Sequence, residues 1–120
     1  QVYTWQTQGT SFGISGYMHL RQVLAAYRST ADVTLTVTAY DGTSPATITL
    51  PSTGGVEKKI LFPFSFNKGL LYFWEGTSDE PWYPYFDAWE TYVGAWGRTD
   101  SYKIFADIEA PKGIGRTIEP

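Results

Sequence analysis

Residues 32–50 read Asp-Val-Thr-Leu-Thr-Val-Thr-Ala-Tyr-Asp-Gly-Thr-Ser-Pro-Ala-Thr-Ile-Thr-Leu, and this stretch decides the fold class. Apolar and mainly hydroxyl-bearing side chains alternate in residues 33–40 and again in residues 46–50, which gives a strand one apolar face. The β-branched Val and Thr residues also fit a pleated surface better than a helix. Residues 41–45 contain Asp-Gly and a proline and predict a turn. The stretch therefore predicts a β-hairpin, and other strands must cover its apolar face because a lone hairpin is marginal in water.

The composition limits the classes of function that the chain can have. The sequence has 120 residues, no cysteine, one histidine and a formal net charge of −3, and this length is typical of one domain. The lack of cysteine excludes disulfides and thiolate metal sites, and a single histidine excludes a histidine cluster for a metal ion. The negative charge argues against nucleic-acid binding, and no apolar run approaches the ~20 residues of a membrane span. We therefore expect no cofactor, no nucleic-acid partner and no membrane insertion.

Residues 19–29 permit two interpretations. Leu20, Val23, Leu24 and Tyr27 recur at helical spacing, but no good N-cap residue precedes them. With a period of two, Leu20 and Leu24 fall on the more apolar of two strand faces. We predict a strand in which these two leucines face the core, and we expect it to pair with residues 33–40 across the short turn at residues 29–32.

Other segments also alternate and are bounded by turn residues. Residues 56–66 predict a strand in which Pro63 indicates a sheet edge or a bulge, because proline cannot donate to the ladder. Residues 51–55 and 67–69 predict turns, and residues 9–16 and 76–84 predict loops. The remaining expected strands cover residues 1–8 (a candidate edge), 70–75 (with bulky residues on both faces), 85–96 and 102–106.

About seven or eight short strands with a turn signal every ten or so residues predict an all-β fold. The favoured architecture is a single antiparallel β-sandwich, jelly-roll-like. An immunoglobulin-like topology is the alternative, although the Cys-Trp-Cys pattern of that fold is absent. We assign residues 1–110 to the sandwich and residues 111–120, which are rich in glycine and proline, to an exposed C-terminal tail or linker.

The sequence contains no convincing catalytic group. His19 is the only histidine, and Arg21 two residues later would oppose its protonation, so we interpret it as structural. Five carboxylates lie close in sequence among aromatic residues, and a glycosidase would need two of them across the scissile bond. Solvating charges on a loop explain them as well, and no Asp-x-Asp-x-Asp calcium motif occurs, although an ion bound by acidic loops stays an alternative. These carboxylates are Glu75, Asp79, Glu80, Asp87 and Glu90. We expect no enzyme activity and no catalytic or metal-binding residues.

Aromatic residues make up 18% of the chain, and the segment Trp82-Tyr83-Pro84-Tyr85-Phe86 concentrates them. Consecutive residues on a strand face opposite ways, so these rings cannot all enter one core. The segment could be covered by a loop, stack on a sugar, or form a protein interface. We predict an interface with an acidic rim, more readily to protein than to sugar. The candidate interface or ligand-binding residues are Trp82, Tyr83, Tyr85, Phe86, Asp79, Glu80, Trp74 and Trp89.

Four further features carry a resemblance to a known class of domain. They are the alternating Val-Thr strand at 33–40, the Thr-Leu-Pro-Ser-Thr-Gly-Gly turn at 49–55, the Lys-Gly-Leu-Leu-Tyr strand start at 68–72, and the closing Trp96-Gly97. Together with Gly-Tyr-Met-His-Leu-Arg at 16–21, they resemble the β-sandwich domains of virion proteins of tailed bacteriophages. The resemblance covers about two thirds of the chain.

The resemblance implies a function and a location, which we state as expectations. It implies a non-enzymatic domain of a tail or baseplate component, located in the virion, that mediates assembly or host-surface attachment. The partners would be other virion proteins, with the chain part of a larger protein or a homo-oligomer, and Gln1 in place of Met favours a piece of a longer chain. The alternative is an extracellular carbohydrate-binding module that binds a glycan, such as one on a host surface, through exposed aromatic rings.

Overall fold

Ten strands build the described part of the chain. In this computed structural model, the structure describes residues 2–7, 15–42, 46–64 and 68–96, together with the backbone of residues 103–105 and 114–118. One 3₁₀ turn, Phe86–Ala88, lies between the seventh and eighth strands, and the described residues contain no α-helix. The strands are β1 Val2–Gln6, β2 Met18–Ser29, β3 Val33–Tyr40, β4 Ala46–Leu50, β5 Lys58–Pro63, β6 Leu71–Ser78, β7 Trp82–Pro84, β8 Glu90–Ala95, β9 Lys103–Phe105 and β10 Ile114–Ile118.

The strands form two antiparallel sheets. Sheet A has the order β10-β1-β6-β3-β4, and sheet B has the order β5-β2-β8-β9, with β7 paired to the end of β2. Buried side chains from both sheets belong to one hydrophobic cluster, and the Tyr72 hydroxyl of sheet A donates to the Met18 carbonyl of sheet B. The prediction of an all-β antiparallel sandwich is confirmed.

The β3–β4 hairpin supplies one wall of the core, as its alternation predicts. Leu35 pairs with Ile48 in register, and Val33 pairs with Leu50. Leu35 and Val37 are buried, whereas Thr36 between them is only half-buried. The predicted turn lies partly outside the described residues, since residues 43–45 are not among them.

The segment predicted as a strand over residues 19–29 is β2, but its faces and partners differ from the prediction. The register with β8 shifts between Leu20, which pairs with Val93, and Gln22, which pairs with Tyr92, so Arg21 is the extra residue of a β-bulge. Leu20 is buried as expected. Beyond the bulge the facing is reversed, and Leu24 lies on the outer face while its neighbours on either side are buried. The prediction that Leu24 faces the core is therefore wrong.

The turn after β2 leads to the other sheet, so the expected pairing of β2 with β3 is also wrong. β2 pairs instead with β5 along one edge and with β7 and β8 along the other. The predicted turn at residues 51–55 lies against the end of β2. There the Ser29 N–H donates to the Thr53 hydroxyl at 2.9 Å, and the Gly55 N–H donates to the Ser29 carbonyl at 2.9 Å. These bonds satisfy backbone groups where the chain passes between sheets.

The positions of the terminal strands correct two further expectations, and those of β9 and β5 agree with the sequence. β1 lies between β10 and β6, so it is not an edge of the described sheet. β10 falls within residues 111–120 and pairs with β1 over five residues, so residues 114–118 are a strand of sheet A in place of the expected tail or linker. β9 lies inside the predicted strand at residues 102–106, and β5 is an edge strand that ends at Pro63, as the proline predicts.

The chain between β6 and β8 is more structured than the sequence predicts. The expected loop over residues 76–84 contains the last three residues of β6 and the whole of β7. The expected strand over residues 85–96 begins with the 3₁₀ turn, and its strand part is only β8. The reason is tertiary: Gly76 pairs with Leu35 and with Trp5, and the backbone of Arg28 pairs with that of Tyr83.

Candidate functional site

Four of the predicted interface rings belong to the core. Trp74 and Trp89 are fully buried, and Trp82 and Phe86 are only 6% and 7% exposed. The Trp89 indole N–H donates to the Ala26 carbonyl at 2.7 Å, and its ring packs on Phe86 with 5.0 Å between centroids. The expectation that these four rings form an exposed surface is corrected, because neighbouring segments of both sheets cover them.

The alternation of β7 explains which rings are inside. Trp82 and Pro84 are buried and Tyr83 between them is exposed. The Trp82 ring lies over Gly76 of β6, where a side chain would leave no room for it: a Cβ placed there would be 2.6 Å from two indole carbons. The inference that adjacent rings cannot share one core is therefore consistent with β7, which turns one ring inward and one outward.

The exposed ring of Tyr83 is the centre of a group that we call the Tyr83 surface, made of Trp5, Arg28, Tyr83 and Tyr85. Tyr83 is 41% exposed, and the Trp5 and Tyr85 rings meet it edge to face with centroid distances of 5.3 and 4.9 Å. The guanidinium carbon of exposed Arg28 lies 5.6 Å from the Tyr83 centroid and 6.0 Å from that of Tyr85. Such ring pairs and cation–π contacts contribute about 0.5–1.5 kcal/mol each and orient the side chains.

Three strands from both sheets position this surface. Trp5 comes from β1 in sheet A, whereas Arg28 and Tyr83 come from the paired strands β2 and β7 of sheet B. The Trp5 indole N–H donates to the Trp82 carbonyl at 3.0 Å, which fixes its ring beside Tyr83. The sequence reasoning missed Trp5 and Arg28. No local signal could identify them, because Trp5 precedes β7 by more than seventy residues and Arg28 looks like any exposed strand cation.

A hollow of about 290 Å³ lies next to Tyr83. Polar and apolar groups from the ends of β2 and β7 and from the 51–55 turn surround it. Its lining residues are Arg28, Ser29, Thr30, Gly55, Pro81, Trp82 and Tyr83. The predicted acidic rim residues Asp79 and Glu80 are exposed in the turn that leads into Pro81. The hollow therefore extends the Tyr83 surface with hydroxyl and backbone groups.

A second aromatic and cationic group lies at the start of β2, about 35 Å from its end for a strand of this length. The Lys68 ammonium lies 4.4 Å from the Tyr17 centroid and 5.5 Å from that of Trp96. The Tyr17 hydroxyl donates to Asp41 at 2.8 Å, and this bond, more than partial burial, raises the pKa of Tyr17. These contacts connect the ends of β2, β3 and β8, so the role of this second group is structural.

His19 belongs to the same end of the sandwich. Its ring packs edge to face on Trp96 at 5.8 Å between centroids. Burial, and to a lesser degree the Arg21 charge, lowers the pKa of His19, so the imidazole is neutral at pH 7. The half-buried ring is thus held against an aromatic neighbour in the way a structural histidine is.

Two of the carboxylates that the sequence groups together, Glu75 and Glu90, are separated in space. Glu75 points outward from sheet A, and Glu90 lies on the outer face of sheet B, so the core separates this pair. Glu90 also lies 3.5 Å from the Lys59 ammonium. Within the described ranges, no group of three or more His, Cys, Asp or Glu residues could hold a metal ion. No helix in that part of the chain is long and apolar enough to cross a membrane.

Comparison of the chain with protein-family models, with curated proteins and with solved structures gives no match.

Proposed function

We propose that this chain is a non-enzymatic interaction domain of a bacteriophage tail or baseplate component, and that it binds a neighbouring virion protein through the Tyr83 surface. One observation carries the interaction: a large aromatic ring is 41% exposed although other rings and a cation hold it in place. Tyr, Trp and Arg are the residues enriched at the energetic centres of protein interfaces. The resemblance of the sequence to virion β-sandwich domains supports the assignment to a tail.

The arrangement of the rings favours a protein partner. Trp5 and Tyr85 meet Tyr83 at interplanar angles of 72° and 63°, so the group presents an uneven surface of faces and edges. A sugar stacks best on a flat, open ring face, whereas an uneven apolar centre fits the side chains of a protein. Because the rings are already held, binding loses little side-chain entropy.

Arg28 suggests the chemistry of the partner. Its guanidinium stacks on the tyrosines and can still direct N–H groups outward, since its five donors lie in one plane. A carboxylate or backbone carbonyl of the partner would pair with it, next to an apolar side chain on Tyr83. Exposed Asp79 and Glu80 would then lie toward the polar rim of such an interface.

A carbohydrate-binding module is the second candidate, and the hollow beside Tyr83 is the observation that favours it. A volume of about 290 Å³ lined by Thr30, Arg28 and an exposed ring has the size and polarity to accept a saccharide unit. In this case the ligand would be a glycan, for example on a host surface.

The test compares Tyr83→Ala and Arg28→Ala with Tyr40→Ala. Tyr40 is a matched control because it is an even more exposed tyrosine, on β3 and outside the Tyr83 surface. The chain is mixed with the purified proteins of its parent tail, complex formation is followed by size-exclusion chromatography with light scattering, and Kd is measured by calorimetry. A loss of 2 kcal/mol at a hot spot corresponds to a roughly 30-fold weaker Kd.

We expect the Tyr83 and Arg28 variants to weaken the complex at least tenfold with unchanged Tm, and the Tyr40 variant to bind like wild type. Equal binding by all three variants would contradict the assignment of this surface. Binding to a glycan array that requires Tyr83, together with intact tail assembly, would establish the carbohydrate function in its place.

A further inference from the structure

Among the described residues, the outer edge of β4 has no charge, proline or bulge, which are features that often prevent a sheet edge from pairing with another chain. β4 is the last strand of sheet A, and within the described residues it pairs only with β3. Its sequence, Ala-Thr-Ile-Thr-Leu, contains no charge and no proline, and three of its five residues are β-branched. Edge strands are usually blocked by lysine, proline or a bulge, because their unpaired N–H and C=O groups otherwise accept a further strand.

The β5 edge of sheet B provides the contrast. β5 contains Lys58 and Lys59 at one end and Pro63 at the other, and these are the residue types that block pairing. In an antiparallel pair of β5 strands centred between Ile60 and Leu61, Pro63 of each copy would face Lys58 of the other, so each end of the ladder would contain a charge and a residue that has no N–H to donate. An antiparallel pair of β4 strands contains neither a charge nor a proline, so the sequence permits self-pairing at β4 and disfavours it at β5.

The sequence of β4 is also complementary to itself. A two-fold axis at Ile48 places an antiparallel copy in a register where the two Ile48 residues face each other and Thr47 of each copy faces Thr49 of the other. Thr47 and Thr49 are exposed on the outer face, and Ala46 and Ile48 are half-buried on the inner face. This register therefore aligns hydroxyl with hydroxyl and apolar with apolar, the cross-strand pairs that stabilise sheets.

An apolar hollow next to the same edge would be covered by a second copy. It has a volume of about 420 Å³ and lies between the edge strands of the two sheets. Its lining residues are Ala46, Thr47, Ile48, Pro63 and Phe64. Because Ile48 lies both in this hollow and at the centre of the self-complementary register, strand pairing and apolar burial would occur at one place.

We propose that two copies of this chain associate through antiparallel pairing of their β4 strands, centred on Ile48. The five strands of sheet A in each copy then form one continuous ten-stranded sheet across the two-fold axis. The contact is isologous, so it closes at two copies and leaves the Tyr83 surface of both free. This association goes beyond the proposed function and does not depend on it.

The test uses the predicted register. In Thr47→Lys/Thr49→Lys, each new lysine faces another lysine across the axis, which opposes pairing. In Thr47→Lys/Thr49→Glu, each new lysine faces a glutamate of the other copy, which favours it. Both positions are exposed and lie beside Thr36 and Thr34 of β3, so neither variant changes a side chain of the monomer core.

Sedimentation velocity over a concentration series gives the dimer Kd of each protein. We expect wild type and the Lys/Glu variant to reach twice the monomer mass of 13.5 kDa, and the Lys/Lys variant to dimerise at least tenfold more weakly with an unchanged Tm. Dimerisation of the Lys/Lys variant equal to wild type, or failure of the Lys/Glu variant to dimerise while folded, overturns the register. A wild type that stays monomeric overturns the proposal.

A second measurement is independent of charge. The chain has no cysteine, so Thr47→Cys and Thr49→Cys can be made as single variants and mixed under mild oxidation. Facing residues of an antiparallel pair have Cβ atoms about 5 Å apart, so the mixture is expected to form more disulfide-linked dimer than either variant alone. Equal yields in all three samples overturn the register. Tyr83→Ala is expected to leave the yield unchanged, which separates this contact from the Tyr83 surface.

Discussion

Trp5 and Trp82 each donate an indole hydrogen bond to a backbone carbonyl on the opposite side of the sandwich. The Trp5 indole N–H donates to the Trp82 carbonyl at 3.0 Å, and the Trp82 indole N–H donates to the Tyr3 carbonyl at 3.1 Å. β1 belongs to sheet A and β7 pairs with sheet B, so the two bonds join the sheets directly beneath the Tyr83 surface. The surface therefore rests on residues that also stabilise the fold.

This relationship predicts that two adjacent aromatic residues contribute very different amounts to stability. Trp82→Ala removes a nearly buried ring and its hydrogen bond, so we expect a loss of about 3–5 kcal/mol in the free energy of unfolding. Tyr83→Ala removes an exposed ring and should cost less than about 1 kcal/mol. Urea denaturation of both variants measures the difference; equal losses would contradict this facing of β7, and a larger loss for the Tyr83 variant would mean that it is reversed.

The facing of the β3–β4 hairpin gives a second prediction. Leu35 is 1% exposed, so Leu35→Ala should cost about 2–5 kcal/mol through lost burial and the cavity that remains. Thr36→Ala, on the other face, should cost less than about 1 kcal/mol. The same denaturation experiment applies, and a larger loss for the Thr36 variant would contradict the pairing register.

Because of the bulge at Arg21, Val23 should contribute more to the stability of the fold than its larger neighbour Leu24. Val23 is fully buried, so Val23→Ala should cost about 2 kcal/mol at about 0.8 kcal/mol per methylene plus a cavity term. Leu24 lies on the outer face, and Leu24→Ala should cost under about 1 kcal/mol although it removes more atoms. Thermal melts of the two variants measure these losses. In a regular strand without the bulge, Leu24→Ala would be the more destabilising of the two.

Gly76 gives a prediction about a close contact. A Cβ at this position would lie 2.6 Å from the Trp82 ring and 3.3 Å from a Val33 methyl carbon, so Gly76→Ala should cost about 1–3 kcal/mol by overpacking. Trp82→Phe removes the indole carbons that the new methyl group meets. In the double variant the two costs should therefore be less than additive, and strict additivity in the mutant cycle would show that the contact is not the cause.

Two buried tyrosines predict a loss of stability at high pH. Burial, with a smaller effect of Asp32, raises the pKa of Tyr27 to about 12, and burial likewise raises that of Tyr72 to about 12. In the unfolded chain these phenols lose their protons near pH 10. The unfolded state then binds fewer protons than the folded state, so the stabilisation present below pH 10 is lost as the pH rises towards 12.

Urea denaturation at several values between pH 9 and 12 measures this effect. Tyr27→Phe is the control, because it removes one titrating group and should make the decline shallower. At pH 7 the same variant should lose about 1 kcal/mol, since the Pro51 carbonyl loses the Tyr27 hydroxyl as its donor. A pH profile that is flat above pH 10 in the wild-type protein would contradict the assignment.

Much of the fold could be predicted because strand formation is largely a local property. The period of two in residues 33–40 and 46–50 identifies the hairpin and its buried face, and the proline at position 63 identifies an edge. Even the ambiguous segment at residues 19–29 is a strand, as predicted. Alternation of neighbouring residues also predicts that the 82–86 segment cannot be wholly inside.

The sequence by itself therefore determined the all-β class, most of the strands and the presence of an aromatic segment with inward and outward rings. Only the tertiary structure decided which rings those are, because burial of Trp82 depends on Gly76 and Tyr3 from strands far away in sequence. It also decided that Leu24 faces outward, since the bulge at Arg21 is visible only in the pairing with β8. The physical reason is common to both. Side chains alternate between the two faces of a strand for local reasons, whereas the pairing register and the residues that cover each face depend on partner strands that periodicity does not specify.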